Sequence, residues 1–216
     1  MRILIPLLSF ILFFGPTQWM AQNSTMNPLV PMATATGDLD KDGIDEKVEI
    51  YTTADSSEYG LVRELQILKF TNGRWELWKS SRTAVLADNA GGVWGDPFSS
   101  LSITKGRLII EHYGGSNWRW STTDIYRFQN NAFQLIGYTS TFGKQCEENT
   151  SLDINLSTGK IIYTRRYTMC KTESKETITR TETETFYKKG LVILLENRTT
   201  HPVKLLTPKY KYEFEL

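Results

Sequence analysis

Residues 98–140, FSSLSITKGRLIIEHYGGSNWRWSTTDIYRFQNNAFQLIGYTS, alternate apolar and polar side chains in short runs broken at Lys105-Gly106, Gly114-Gly115 and Asn130-Asn131. A period of two between turn signals specifies β-hairpins rather than helices. Two-residue turns at Lys105-Gly106 and Asn130-Asn131 fix the pairing. They set Ile103 opposite Leu108, Leu101 opposite Ile110, Phe128 opposite Phe133 and Tyr126 opposite Leu135. An even loop at the middle turn would throw the apolar residues of its two strands onto opposite faces. A three-residue loop, Gly114-Gly115-Ser116, avoids this and pairs His112 with Trp118, Ile110 with Trp120 and, on the other face, Glu111 with Arg119. The expectation is a four-stranded antiparallel meander with Trp118, Trp120, Tyr126 and Phe128 on its packed side.

The rest of the chain repeats this texture and lacks helical periodicity. Strands are expected near 29–36, 47–53, 62–70 and 74–80, with Asn72-Gly73 as a hairpin turn, and again near 150–156, 160–169, 176–187 and 203–214. The fold class is therefore all-β, built of four-stranded antiparallel meanders that are either propeller-blade-like or the layers of a β-sandwich. The loop Ser157-Thr158-Gly159 would pair Leu156 with Lys160, and the same register carries Cys146 opposite Cys170, a separation that suits a disulfide. The run KETITRTETETFYKK alternates threonine with charge and reads as an exposed edge strand.

The chain opens MRILIPLLSFILFFGPTQWMAQ, with Arg2 followed by an apolar run from Ile3 to Gly15. Such a run is too short to span a bilayer and reads as a signal peptide over residues 1–21. Residues 22–216 then form a single all-β domain, with 28–80, 98–140 and 146–216 as candidate subunits. A secreted or periplasmic location follows, and there two cysteines favour a bridge. Lys and Arg number 25 and Asp and Glu 24, so losing Arg2 leaves a neutral chain. That balance gives no field to attract nucleic acid, and no second apolar run supplies a membrane span.

Residues 37–50, GDLDKDGIDEKVEI, place Asp38, Asp40 and Asp42 at alternate positions before Gly43, with Glu46 at the ninth position of the loop. Alternate carboxylates around a tight bend, joined by the Ile44 carbonyl, are the oxygen donors a calcium ion takes. The flanking PLVPMATAT and KVEIYTT are not helical, and Asp45 stands where an EF-hand places an apolar residue, so an EF-hand is excluded. The stretch resembles the calcium loop of FG-GAP or VCBS-type repeats, the integrin α-like propeller blades of secreted bacterial proteins. That resemblance implies calcium as cofactor, held by Asp38, Asp40, Asp42, Ile44 and Glu46. The segments GGVWGDPF and HYGGSNWRW are in turn similar to uncharacterised secreted bacterial proteins carrying a single such loop.

Enzyme signatures are sparse. There is no H-E-x-x-H or G-x-S-x-G, and only two histidines are present, His112 and His201. Trp94 in a glycine-rich loop, with Tyr113 and Asn117, suits a stacking and hydrogen-bonding site for carbohydrate or a cell-surface protein. Asp96 and Asp124 are the carboxylates of the alternative, an extracellular polysaccharide hydrolase. Asp124 falls on the packed side of its strand, and the sequence reading places it at a strand end reached by water. The function expected is a secreted, calcium-stabilised binding module, its ligand near Trp94 and the acidic turn. A structural envelope protein is the remaining alternative.

Overall fold

A computed structural model describes residues 30–172, 175–200 and 202–216; the expected leader lies outside them. Two antiparallel sheets carry the fold. The first contains β1 (Ala33–Gly37), β2 (Glu46–Ser57), β3 (Gly60–Thr71) and β4 (Arg74–Ser81) in chain order. The second has seven strands, also in chain order: β5 (Phe98–Ile103), β6 (Leu108–Gly115), β7 (Arg119–Gln129), β8 (Ala132–Lys144), β9 (Glu148–Asn155), β10 (Lys160–Thr172) and β11 (Lys175–Tyr187). A short hairpin, β12 (Lys204–Leu206) with β13 (Glu213–Glu215), follows. Among the described residues no helix is long and apolar enough to cross a membrane.

The expected all-β class holds, and the sheets pack as a sandwich rather than as three blades. β8 pairs with β9, which fuses the stretches 98–140 and 146–216 into one sheet, so these do not stand as separate subunits. One buried cluster joins Val48, Ile50, Leu65 and Ile67 of the first sheet to Leu108, Ile110, Tyr126, Phe133 and Ile154 of the second. Trp78 of β4 bridges the layers, 4.5 Å from Phe128 and 5.2 Å from Phe133 between ring centres. Four strands cannot cover seven. The C-terminal segment covers the remainder, with Tyr212 and Phe214 at 5.6 and 6.0 Å from Tyr163 of β10. The strand expected over 203–214 is therefore two three-residue strands folded back on each other.

Both two-residue turns of the central meander are left-handed at each position, Lys105 and Gly106 at φ 52° and 68°, Asn130 and Asn131 at 52° and 61°. Their four predicted apolar pairs all form. The middle hairpin differs. Its loop is Ser116-Asn117-Trp118, Gly115 pairs with Arg119, and His112 pairs with Thr122 rather than Trp118. A shift of four keeps every side chain on its expected face, so the alternation could not detect it. Gly114 supplies the reason: a Cβ there would lie 2.6 Å from the Trp120 ring, so the glycine makes room for the indole rather than forming the turn. Glu111 accordingly faces Thr123, not Arg119.

Cys146 and Cys170 form the expected disulfide, with Cα atoms 5.0 Å apart. Its setting is not a paired strand position. Asn155, not Leu156, faces Lys160, a slip of one that puts Leu152 and Ile154 beside Tyr163 and Ile161 on the packed face. Cys146 consequently sits in the β8–β9 turn at φ 66°. β11 is the sheet edge, as its threonine and charge alternation predicts.

Candidate functional site

The β1–β2 loop gathers its acids at one end of the sandwich. Carboxylate oxygens of Asp38, Asp40 and Asp42 lie within 4.8 Å of one another. The loop is drawn into this shape by its own side chains. Asp38 accepts from the Lys41 and Gly43 N–H groups at 2.6 and 3.1 Å, Asp42 accepts from Ile44 N–H at 2.8 Å, and Gly43 turns at φ 87°. Glu46 is buried and accepts the Leu39 N–H at 2.8 Å. Burial pushes its carboxyl up, although the Leu39 bond works against that. The Lys69 ammonium, arriving from β3, contacts Asp40 and lies 3.3 Å from Asp42 and 3.6 Å from Glu46. Three carboxylates around one ammonium, with Asp38 beside them, leave an excess of negative charge and hard oxygen donors, which fits a divalent cation. For Ile44 the geometry fixes only the N–H contact, with the side chain exposed.

The second site lies elsewhere. The acidic loop abuts the β5–β6 turn, where a Cβ on Gly106 would lie 3.2 Å from the Asp38 carbonyl. Tyr113 is five residues along β6, roughly 17 Å away. The acidic turn and the Trp94 region are thus at opposite ends of β6.

Around Trp94 the glycines are structural. Gly115 N–H donates to the Gly91 carbonyl and Gly91 N–H to the Gly95 carbonyl, both at 2.8 Å, which fastens the 3-10 turn Gly92–Trp94 onto the end of β6. Trp94 stays half exposed, edge-on to Tyr113 at 5.5 Å, and the Arg119 guanidinium lies 5.6 Å from its ring. Tyr113 and Asn117 line a trough of about 990 Å³ that crosses the sheet to Arg166 and Ile178. Trp94 therefore touches the trough's rim while Tyr113 and Asn117 form part of its wall.

Strand register orders the trough's outer face. Tyr113, Ser121, Thr141, Ser151, Thr164 and Thr183 are successive cross-strand partners from β6 to β11; of these Tyr113, Thr141 and Ser151 line the trough, and Thr164 is buried. The parallel row nearer the hairpin turns is Gly115, Arg119, Gly143, Asn149, Arg166 and Thr181. A Cβ on Gly143 would come within 2.1 Å of the Asn149 Oδ1, so glycine there makes room for the Asn149 carboxamide, which sits in the row between the two arginines. Sequence reasoning can set Arg119 beside the aromatic group as part of a ligand platform, but it passed over Arg166. The available signal was the polar phase of each strand, Ser121 with Thr123, Thr139 with Thr141 and Asn149 with Ser151, set against apolar residues at the alternate positions.

Asp96 and Asp124 are each engaged by arginine. Arg63, buried, holds both oxygens of Asp96 at 2.7 and 2.5 Å; burial raises that carboxyl, and the Arg63 bonds outweigh it and hold the group below its usual range. Asp124 is not reached by water as expected but is buried, with Arg198 Nε and Nη2 at 2.8 and 3.1 Å. An ionised carboxylate on the packed face requires such a fork. Both carboxylates named by the hydrolase alternative are thus engaged by arginine, Asp124 inside the core and Asp96 at a half-exposed position. His112, buried between these arginines, accepts the Leu86 N–H at 3.3 Å, and burial pushes its imidazole down to about 4.

No family model matches the chain, and no curated protein and no solved structure matches it.

Proposed function

We propose that this is an exported binding module that takes an extended carbohydrate chain across the outer face of the seven-stranded sheet. The carrying observation is the trough from Tyr113 to Arg166, where the hydroxyls of Tyr113, Thr141 and Ser151 line the wall beside an aromatic rim at Tyr113 and Trp94. Sugars present hydroxyl edges and apolar ring faces, and such a surface answers both. The disulfide and the apolar leader support an exported location. Calcium at Asp38, Asp40 and Asp42, with Glu46 behind them, acts in this reading as a staple distant from the ligand, the role the FG-GAP-like loop suggests.

A glycan array followed by titration tests the reading. Trp94→Ala and Tyr113→Ala should each weaken a hit by about tenfold, the worth of one lost stacking contact. Absence of saturable binding to any glycan would remove the proposal, leaving a cell-surface protein partner or a structural envelope role. Calcium is tested separately by melting. EDTA should lower the melting temperature, and millimolar calcium should restore it.

A further inference from the structure

We infer that the carbohydrate taken by this trough is acidic, a chain bearing carboxylates on successive sugar rings; the inference rests on the binding reading above. Arg119 and Arg166 occupy the same register row, linked through Gly143 and Asn149, so three strand spacings, roughly 14 Å, separate their backbones across the trough. Both are exposed, and neither forms an ion pair with a carboxylate among the described residues. Elsewhere in the protein arginines are paired with carboxylates: Arg63 and Arg198 grip both oxygens of Asp96 and Asp124, Arg165 sets two nitrogens on one Glu148 oxygen, and Arg74, Arg82 and Arg180 each reach a carboxylate through one nitrogen. Among the described residues that line the trough only Glu176 is acidic, and its carboxylate accepts the Cys146 N–H at 3.2 Å. Lys144 adds a third cation, but Glu147 is paired with it. The field inside the trough is therefore positive although the chain as a whole is near neutral.

Between the two arginines the row holds only Gly143 and the Asn149 carboxamide seated against it, a neutral hydrogen-bonding group on the line from one guanidinium to the other. A planar guanidinium matches a carboxylate in bidentate fashion, and two of them in line select a ligand whose acids repeat along its length. The Thr141 and Ser151 hydroxyls alongside, with the Tyr113 ring, favour a polyuronate over an acidic peptide.

The test is calorimetric titration of the full chain with unesterified oligogalacturonate and alginate fragments, against methyl-esterified oligogalacturonate, cello-oligosaccharide and polyglutamate. Acidic oligosaccharides should bind at least tenfold more tightly than the ester at low salt, and Arg119→Gln and Arg166→Gln should each remove most of that preference without moving the melting temperature. The preference should shrink as salt is raised, because exposed charges are screened. Equal binding of the ester or of cello-oligosaccharide would overturn the acid preference and leave the carbohydrate reading standing. Tighter binding of polyglutamate would overturn the glycan ligand, and no binding of any oligosaccharide would overturn both.

Discussion

Lys69 is the residue on which the acidic loop turns. Its ammonium already offsets part of the repulsion among Asp40, Asp42 and Glu46, so it competes with any cation for the same oxygens. Lys69→Met should destabilise the metal-free protein and tighten calcium by about tenfold, since one unit charge at contact is worth about 1–4 kcal/mol near a protein surface. Melting curves with EDTA and with calcium would read both effects; an unchanged calcium response would separate Lys69 from the ion. His112 makes a second prediction. Its unfolded value is near 6.5 and its native value about 4, so both states are neutral above pH 6.5. Between 6.5 and about 4 the unfolded chain binds a proton that the native protein refuses, and stability falls as pH drops, by up to about 3 kcal/mol, with no further loss from this group below 4. His112→Gln should flatten that segment of the stability curve, measured by urea unfolding across pH 4–7.

At the scale of elements, hairpins were read well wherever the turn chemistry was local. Lys105-Gly106 and Asn130-Asn131 can hardly do anything but reverse the chain in two left-handed residues, and the pairings followed. Gly114-Gly115 misled because glycine serves two ends, a bend or a vacancy, and only the approach of Trp120 distinguishes them. The β9–β10 slip has a similar origin: Ile161 and Ile162 are both apolar, so which phase of β10 comes beside Leu152 and Ile154 depends on what packs above the strands. The disulfide ties the β8–β9 turn to β10 beside the trough, across a separation of 24 residues. Cys146→Ser with Cys170→Ser should cost about 3 kcal/mol through the looser unfolded chain. Hydrogen exchange should show the added opening concentrated at residues 143–149, and an even loss of protection over both sheets would contradict that placement.

On the whole-molecule scale, a single cluster of buried side chains spans both sheets, and the C-terminal segment seals what four strands leave bare on seven. Unfolding should therefore be one cooperative transition, coincident by tryptophan fluorescence and far-UV circular dichroism. Two resolved transitions would mean the sheets are independent. The sequence by itself determined the strand content, the faces of nearly every strand and the spacing of Asp38, Asp40 and Asp42, because each of these depends on period-two alternation or on contacts within a few residues. Only tertiary structure decided that two meanders merge into one sheet, that Arg198 comes back from 74 residues away to hold Asp124, and that Arg119 and Arg166 share a row. Those outcomes depend on strand neighbours and layer packing between distant segments, where alternation is satisfied equally by several registers and the free energy of burying a particular pair of faces makes the choice.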